Sequence, residues 1–301
     1  MKLLVTGAGG FLGAAVVRAA LGRGLQVIGF ARQPAPERLR ALAREVRVIP
    51  VAMSDHEAVA RAIDVERPDV VVHTAWSGLT APGRASNAQL EDNVLPSCRL
   101  IDAAAQAGVR KFIGIGSQAE YGPLNRRVAE TDVPQPNSLY GAAKLSTCYL
   151  GSAMARQAGM EFAWMRLFAA YGPGDNSNWL IPSLIIRMSA GERPRLTAGT
   201  QKWDYLFIDD AAEAILAIAT RQGAEGIFNL GSGQPAPVRQ VVEMIRDRVA
   251  PGLKLVFGEV PFGPDQIMHM EANIDRLRQV ADWTPAIDLR QGLTRTIEAL
   301  R

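Results

Sequence analysis

The chain has 301 residues and sets 33 Lys and Arg against 30 Asp and Glu, a formal net charge of +3. That length supports a sizeable core, in one large domain or two smaller ones. The charge is spread out with no Lys/Arg run, which argues against a nucleic-acid surface. No apolar stretch of 18 or more residues marks a membrane span, and the first residues lack a basic n-region and a cleavage site, so a cytoplasmic protein is expected. Cys98 and Cys148 fall in separate predicted helices with no metal-ligand spacing and no disulfide framework. Both read as reduced structural thiols, and no metal is expected.

Short apolar runs alternate with amphipathic segments through the first half. Strands are predicted at residues 2–6, 26–31, 46–51, 70–75 and 111–116, and helices at 11–23, 37–44, 56–66 and 93–107. Several of these strands are apolar throughout, as expected when helices cover both faces. The pattern predicts a Rossmann-type α/β fold with a doubly wound parallel sheet. A sixth strand is predicted at 161–167, after a helix at 138–154. Beyond Tyr171-Gly172-Pro173-Gly174 the chain is cut by many Pro and Gly, with helices predicted at 179–189, 209–220, 238–248 and 289–300. The expected division is a cofactor-binding domain at 1–170 and a smaller mixed α/β substrate lobe at 171–301. Part of 205–235 is expected to return to the first domain.

Gly7, Gly10 and Gly13 follow the first strand in a G-x-x-G-x-x-G spacing, with Phe11 and Leu12 between the last two. Such glycines let the backbone approach a pyrophosphate at a helix N-terminus. The competing reading is a glycine-rich turn with no ligand. The second strand ends Gly29-Phe30-Ala31-Arg32-Gln33, with no carboxylate to hold a ribose 2′-hydroxyl. Arg32 is placed to pair with a 2′-phosphate, so NADP(H) is favoured and NAD(H) is the alternative. Asp55 either approaches the adenine amino group or caps the helix at His56.

Tyr140 and Lys144, four apart on one predicted helix, share a face. A lysine there lowers the phenol pKa and makes Tyr140 a usable acid near neutral pH. His73 reads as structural.

These motifs, in this order, resemble the extended short-chain dehydrogenase/reductase family. The likeness also takes in Asp69–Ala75 (DVVVHTA), Asn93, Ser117-Gln118-Ala119-Glu120-Tyr121-Gly122, Arg166-Leu167-Phe168, Asp204-Tyr205, Asp209-Asp210 and Asn229–Gly233 (NLGSG). The resemblance implies that Tyr140 is the acid/base, that Lys144 also bonds the nicotinamide ribose, and that Ser117 holds the reacting oxygen. It implies Ala75 as a cofactor contact, and Tyr121 and Asn93 as supporting or substrate-contacting residues. It implies a nucleotide-sugar substrate and a homodimer formed through the Ala-rich helices at 93–107 and 138–154.

Dehydratases of this family carry Asp-Glu where this chain has Gln118-Ala119. An amide and a methyl cannot move the protons of an elimination. Glu120 stands one residue late and is expected to point elsewhere. Epimerases retain NAD, whereas Arg32 points to an exchanging NADPH. The segments 203–207 and 265–270 look similar to those of bacterial NDP-4-keto-6-deoxyhexose reductases, which serve deoxysugar biosynthesis. The expected activity is NADPH-dependent reduction of a nucleotide-linked 4-ketohexose. An NAD-retaining epimerase and an idle NADP-sensing protein of the same fold are the alternatives.

The chain departs from the nucleotide-sugar pattern at Ala169, at Trp203, and in lacking an arginine near 262–265. Lys202, Arg193 and Arg195 are then the candidates to meet the diphosphate, Trp179 and Trp203 either stack on the base or belong to the lobe core, and His269 is a candidate substrate contact. A substrate without a diphosphate, such as a lactone, an aldehyde or a thioester-linked carbonyl, is also consistent.

Overall fold

A computed structural model describes residues 1–263 and 266–300. The elements in chain order are β1 (Lys2–Thr6), α1 (Phe11–Gly22), β2 (Gln26–Ala31), β3 (Arg47–Pro50), α2 (His56–Glu66), β4 (Val70–His73) and α3 (Ala81–Arg84). Then come α4 (Leu95–Gln106), β5 (Lys111–Ser117), β6 (Arg126–Val128), α5 (Leu139–Gln157), β7 (Glu161–Leu167), β8 (Ala169–Tyr171) and α6 (Leu180–Ser189). The chain continues with β9 (Lys202–Trp203), β10 (Tyr205–Phe207), α7 (Ile208–Thr220), β11 (Gly226–Leu230), β12 (Ala236–Pro237), α8 (Val238–Val249), β13 (Met270–Ala272), α9 (Asp275–Ala281) and α10 (Leu289–Leu300).

Seven strands form one parallel sheet in the order β11-β7-β5-β4-β1-β2-β3. Alternate side chains go to opposite faces, as strand geometry requires. Leu3, Val5, Val70, Val72, Ile113 and Ile115 face α1 and α7, where Val16, Val17, Ala212 and Ile215 complete that core. Leu4, Ile28, Val71, Phe112, Phe162 and Trp164 face α2, α4 and α5, which supply Ile63, Ile101 and Cys148. The expected doubly wound sheet is therefore present, with helices on both faces. Three two-stranded ladders, β8–β10, β9–β12 and β6–β13, stand apart from it.

Several predicted elements shift. Residues 37–44 form only a 3₁₀ turn, Glu37–Leu42, because Leu39 alone among them is buried and no second apolar turn anchors an α-helix. The segment 93–107 opens as a π turn, Leu90–Val94, before α4. Pro96 has no N–H for the carbonyl four residues back, so the regular ladder starts late. The fourth strand ends at His73, where the Thr74 hydroxyl donates to the Thr6 carbonyl at 2.7 Å and turns the chain into the crevice.

Two buried charges fix the later elements. Lys111 Nζ donates to the carbonyls of Ile218 (2.9 Å) and Arg221 at the end of α7, and pairs with Glu161 at 2.8 Å. The Asp204 carboxylate accepts from Ser232 N and Oγ, from Gly233 N at 3.0 Å and from Ala272 N at 2.9 Å. It thereby holds β13 and the turn after β11 against β10.

Candidate active site

Strand order reverses at β1, which lies between β4 and β2, so the crevice beyond these strand ends is the expected ligand site. Gly7 adopts φ +66°, and a Cβ there would stand 2.8 Å from the Ala75 backbone. A Cβ at Gly13 would stand 2.2 Å from the Gly7 carbonyl. Gly10 N donates to that carbonyl at 2.8 Å, which closes the turn. Among the described residues no side chain caps α1, so its first N–H groups face the crevice unmet by those side chains. Phe11 and Leu12 pack partly buried beneath. This bare, close-packed cradle fits a dinucleotide pyrophosphate.

Arg32 is exposed just beyond β2. Arg38, which sequence reasoning missed, donates to the Gly9 carbonyl at 3.3 Å and to the Gly174 carbonyl at 2.7 and 3.0 Å. It joins the glycine turn to the loop after β8. Asp55 caps α2, its Oδ1 accepting from Ala58 N at 3.0 Å.

Ser117 ends β5, and its hydroxyl accepts from Ala119 N at 3.2 Å. Ser138 caps α5 by accepting from Gly141 N at 3.1 Å. A Cβ at Gly141 would stand 2.4 Å from the Ala119 carbonyl, so glycine lets the first turn of α5 lie directly on the turn after Ser117. That contact places Tyr140 beside Ser117. One turn on, buried Lys144 donates from Nζ to the Ile115 carbonyl at 2.6 Å. Its Nζ is 3.5 Å from the Trp76 ring centroid and 5.9 Å from that of Tyr140. Burial pulls the Lys144 pKa down to about 7, opposed by the Glu120 charge. Burial raises that of Tyr140, and the Ser117 hydroxyl and the Arg84 cation pull it back.

Trp76 and Arg84 carried no motif that sequence reasoning could use. Trp76 meets the Tyr140 ring edge-on at 6.3 Å, and the Arg84 guanidinium lies 4.2 Å from the centroid of that ring. The intervening segment is braced from within. Trp76 Nε1 donates to Gln89 Oε1, Gln89 Nε2 donates to the Gly78 and Gly83 carbonyls, and Asn93 Oδ1 accepts from Ser77 N. Asn93 thus supports the site from beneath. A cavity of about 460 Å³ opens between this segment and the start of α5, with Arg84, Asn137 and Ser138 on its walls. His73 bonds the hydroxyls of Thr6 (2.7 Å) and Ser97 (2.9 Å). Burial drives its pKa to about 3, so it stays neutral.

The expected substrate contacts are spread over several elements, with Tyr121, Lys202 and His269 near one another and Trp179 at the start of α6. Tyr121 is buried and its hydroxyl donates to Asn229 Oδ1 at 2.7 Å. Trp179 is exposed at the start of α6, while Trp203 packs partly buried on the core. Lys202 is exposed on β9, bridged to His269. The His269 ring bonds Glu271 at 2.8 Å, and with Tyr121 it borders a cavity of about 10 Å³, room for one water at most. Asp265, where the segment resembling reductases begins, lies outside the described residues, as does Pro264.

A Rossmann sheet with a glycine cradle at its switch point, and Ser117, Tyr140 and Lys144 gathered at one strand end, defines a nicotinamide-dependent enzyme. The chain belongs to the NAD dependent epimerase/dehydratase family, whose pattern residues 3–231 match. It is 30% identical to a UDP-glucose 4-epimerase of Corynebacterium glutamicum, over 96% of this chain and 93% of that protein. It is 28% identical to a dTDP-glucose 4,6-dehydratase of Streptomyces griseus, over 98% and 92%. The structure of Thermus thermophilus UDP-glucose 4-epimerase in complex with NAD superposes with a TM-score of 0.86 at 26% identity, covering 100% and 99% of the two chains.

Proposed function

We propose that the protein carries out NADPH-dependent reduction of the 4-keto group of a nucleotide-linked (6-deoxy)hexose, with Tyr140 as proton donor. A bound nicotinamide dinucleotide supplies the hydride. Tyr140 gives its proton to the carbonyl oxygen as charge develops there, Ser117 donates a second hydrogen bond to the same oxygen, and solvent reprotonates the phenolate. Lys144, buried beneath Trp76, is the residue that would bond the nicotinamide ribose.

The observation that carries this reading over elimination is the fate of Glu120. It is the one carboxylate of segment 117–122, and it is buried in an ion pair with Arg166. Its carboxylate accepts from the Ser117 backbone N–H and is held by Arg166, so it is not free to move the protons of an elimination. The lack of a carboxylate along β2, with Arg32 exposed past its end, supports NADPH. A second reading, 4-epimerisation with retained NAD, draws support from the epimerases among its relatives.

Fluorescence titration of apo-protein with NADPH and NADH, after an absorbance check for bound cofactor, separates the two. Tight, exchangeable NADPH followed by turnover of 4-keto nucleotide sugars supports reduction. Co-purified NAD that resists exchange, with interconversion of UDP-glucose and UDP-galactose, supports epimerisation. Under either reading Tyr140→Phe abolishes turnover and spares cofactor binding.

A further inference from the structure

From the sequence, the positive charge expected beside Tyr140 is Lys144. The fold turns that ammonium toward the Ile115 carbonyl and the Trp76 face, 5.9 Å from the Tyr140 ring centroid. A second cation is nearer. Arg84, on α3, lays its guanidinium over the Tyr140 ring at 4.2 Å from the centroid. Among the described residues Arg84 has no ion-pair partner, so its charge is not spent elsewhere. Its location is set by the Gln89 bracing of the Gly78 and Gly83 carbonyls.

The other groups around Tyr140 are Ser117 from β5, Lys144 from its own helix, Trp76 from the segment after β4, and Glu120 from the turn after β5. Glu120 opposes ionisation, but its charge is matched by Arg166. A guanidinium on a ring face attracts a phenolate more strongly than a phenol, because ionisation adds negative charge to both ring and oxygen.

We propose that Arg84 is a positioning residue that acts through Tyr140: it clamps the ring by its face and stabilises the phenolate left each time the proton is given up. This rests on the reading of Tyr140 as the proton donor. It adds a cation, from a segment with no recognisable motif, to a site otherwise assembled from motifs.

The test replaces Tyr140 with 3,5-difluorotyrosine, which ionises near neutral pH, and follows its ¹⁹F shift against pH in substrate-free protein. The Arg84→Met change should lower the ionisation constant about tenfold. Arg84→Lys, which keeps the charge, should lower it less, and Lys144→Met less than Arg84→Met. An unmoved midpoint in Arg84→Met, or a larger displacement in Lys144→Met, overturns the proposal. A merely structural arginine would leave the midpoint in place. Because no substrate is involved, failure here leaves the C4 reading standing, whereas turnover by Tyr140→Phe would sink that reading instead.

Discussion

Glu120 Oε2 and Arg166 Nε are 2.7 Å apart, and neither side chain is more than 1% exposed. Glu120 Oε1 also accepts from Ser117 N and from Trp164 Nε1, each at 2.9 Å. The ion pair therefore anchors the backbone of Ser117. Trp164 reaches it across Gly114 and Gly116, where a Cβ would stand 2.3 Å from its ring. Glu120→Gln leaves a buried guanidinium uncompensated and should cost about 3–5 kcal/mol in urea unfolding. Glu120→Val combined with Arg166→Met should recover much of that, since an apolar pair needs no charge match. A single variant as stable as the parent would show that the pair is hydrated in solution.

Lys144 makes stability depend on pH. Its folded pKa of about 7 lies below the ordinary lysine value of 10.5. Between those values the unfolded chain binds the extra proton, so native stability rises with pH across that window. Lys144→Met should therefore be more stable than the parent below pH 7. The difference should shrink toward pH 10.5. Urea midpoints at pH 6, 8 and 10 check this, and a gap that widens with pH contradicts it.

Arg32 is proposed to choose the cofactor. Removing one charged hydrogen bond to a phosphate costs about 1.5–3 kcal/mol, so Arg32→Ala should weaken NADPH roughly tenfold or more and leave NADH nearly unchanged. An equal loss for both dinucleotides would remove the argument for NADPH. Arg38→Ala should loosen both equally, since its guanidinium grips backbone carbonyls on either side of the cradle.

The α4/α5 face is proposed as the two-fold interface. These helices lie side by side and leave Leu95 47%, Tyr149 56% and Leu150 49% exposed, more apolar surface than two solvated helices need. Light scattering after gel filtration should give a dimer, and Tyr149→Glu with Leu150→Glu should give a monomer. A monomeric parent protein, or a double variant that stays dimeric, rules this face out.

The sequence by itself determined the parallel sheet, the glycine-rich turn and the Tyr140 and Lys144 spacing, while Ser117 came only from the family resemblance. The first three depend on local regularities: unbroken apolar strands, glycines at fixed spacing, and two side chains one helical turn apart. It also showed that Glu120 was out of place for elimination. What Glu120 does instead was invisible, because Trp164 and Arg166 lie more than 40 positions away and meet it only once β5 and β7 pair. The same holds for Trp76 and Arg84 against Tyr140, and for Arg38 across Gly9 and Gly174. Tertiary structure also decided that Tyr121 is committed to Asn229, that Asp55 is a cap, and that Trp179 and Trp203 part company. A residue's type and its neighbours in sequence set its capacity for hydrogen bonding and charge. Which partner satisfies that capacity is settled by packing, through contacts between segments far apart in the chain.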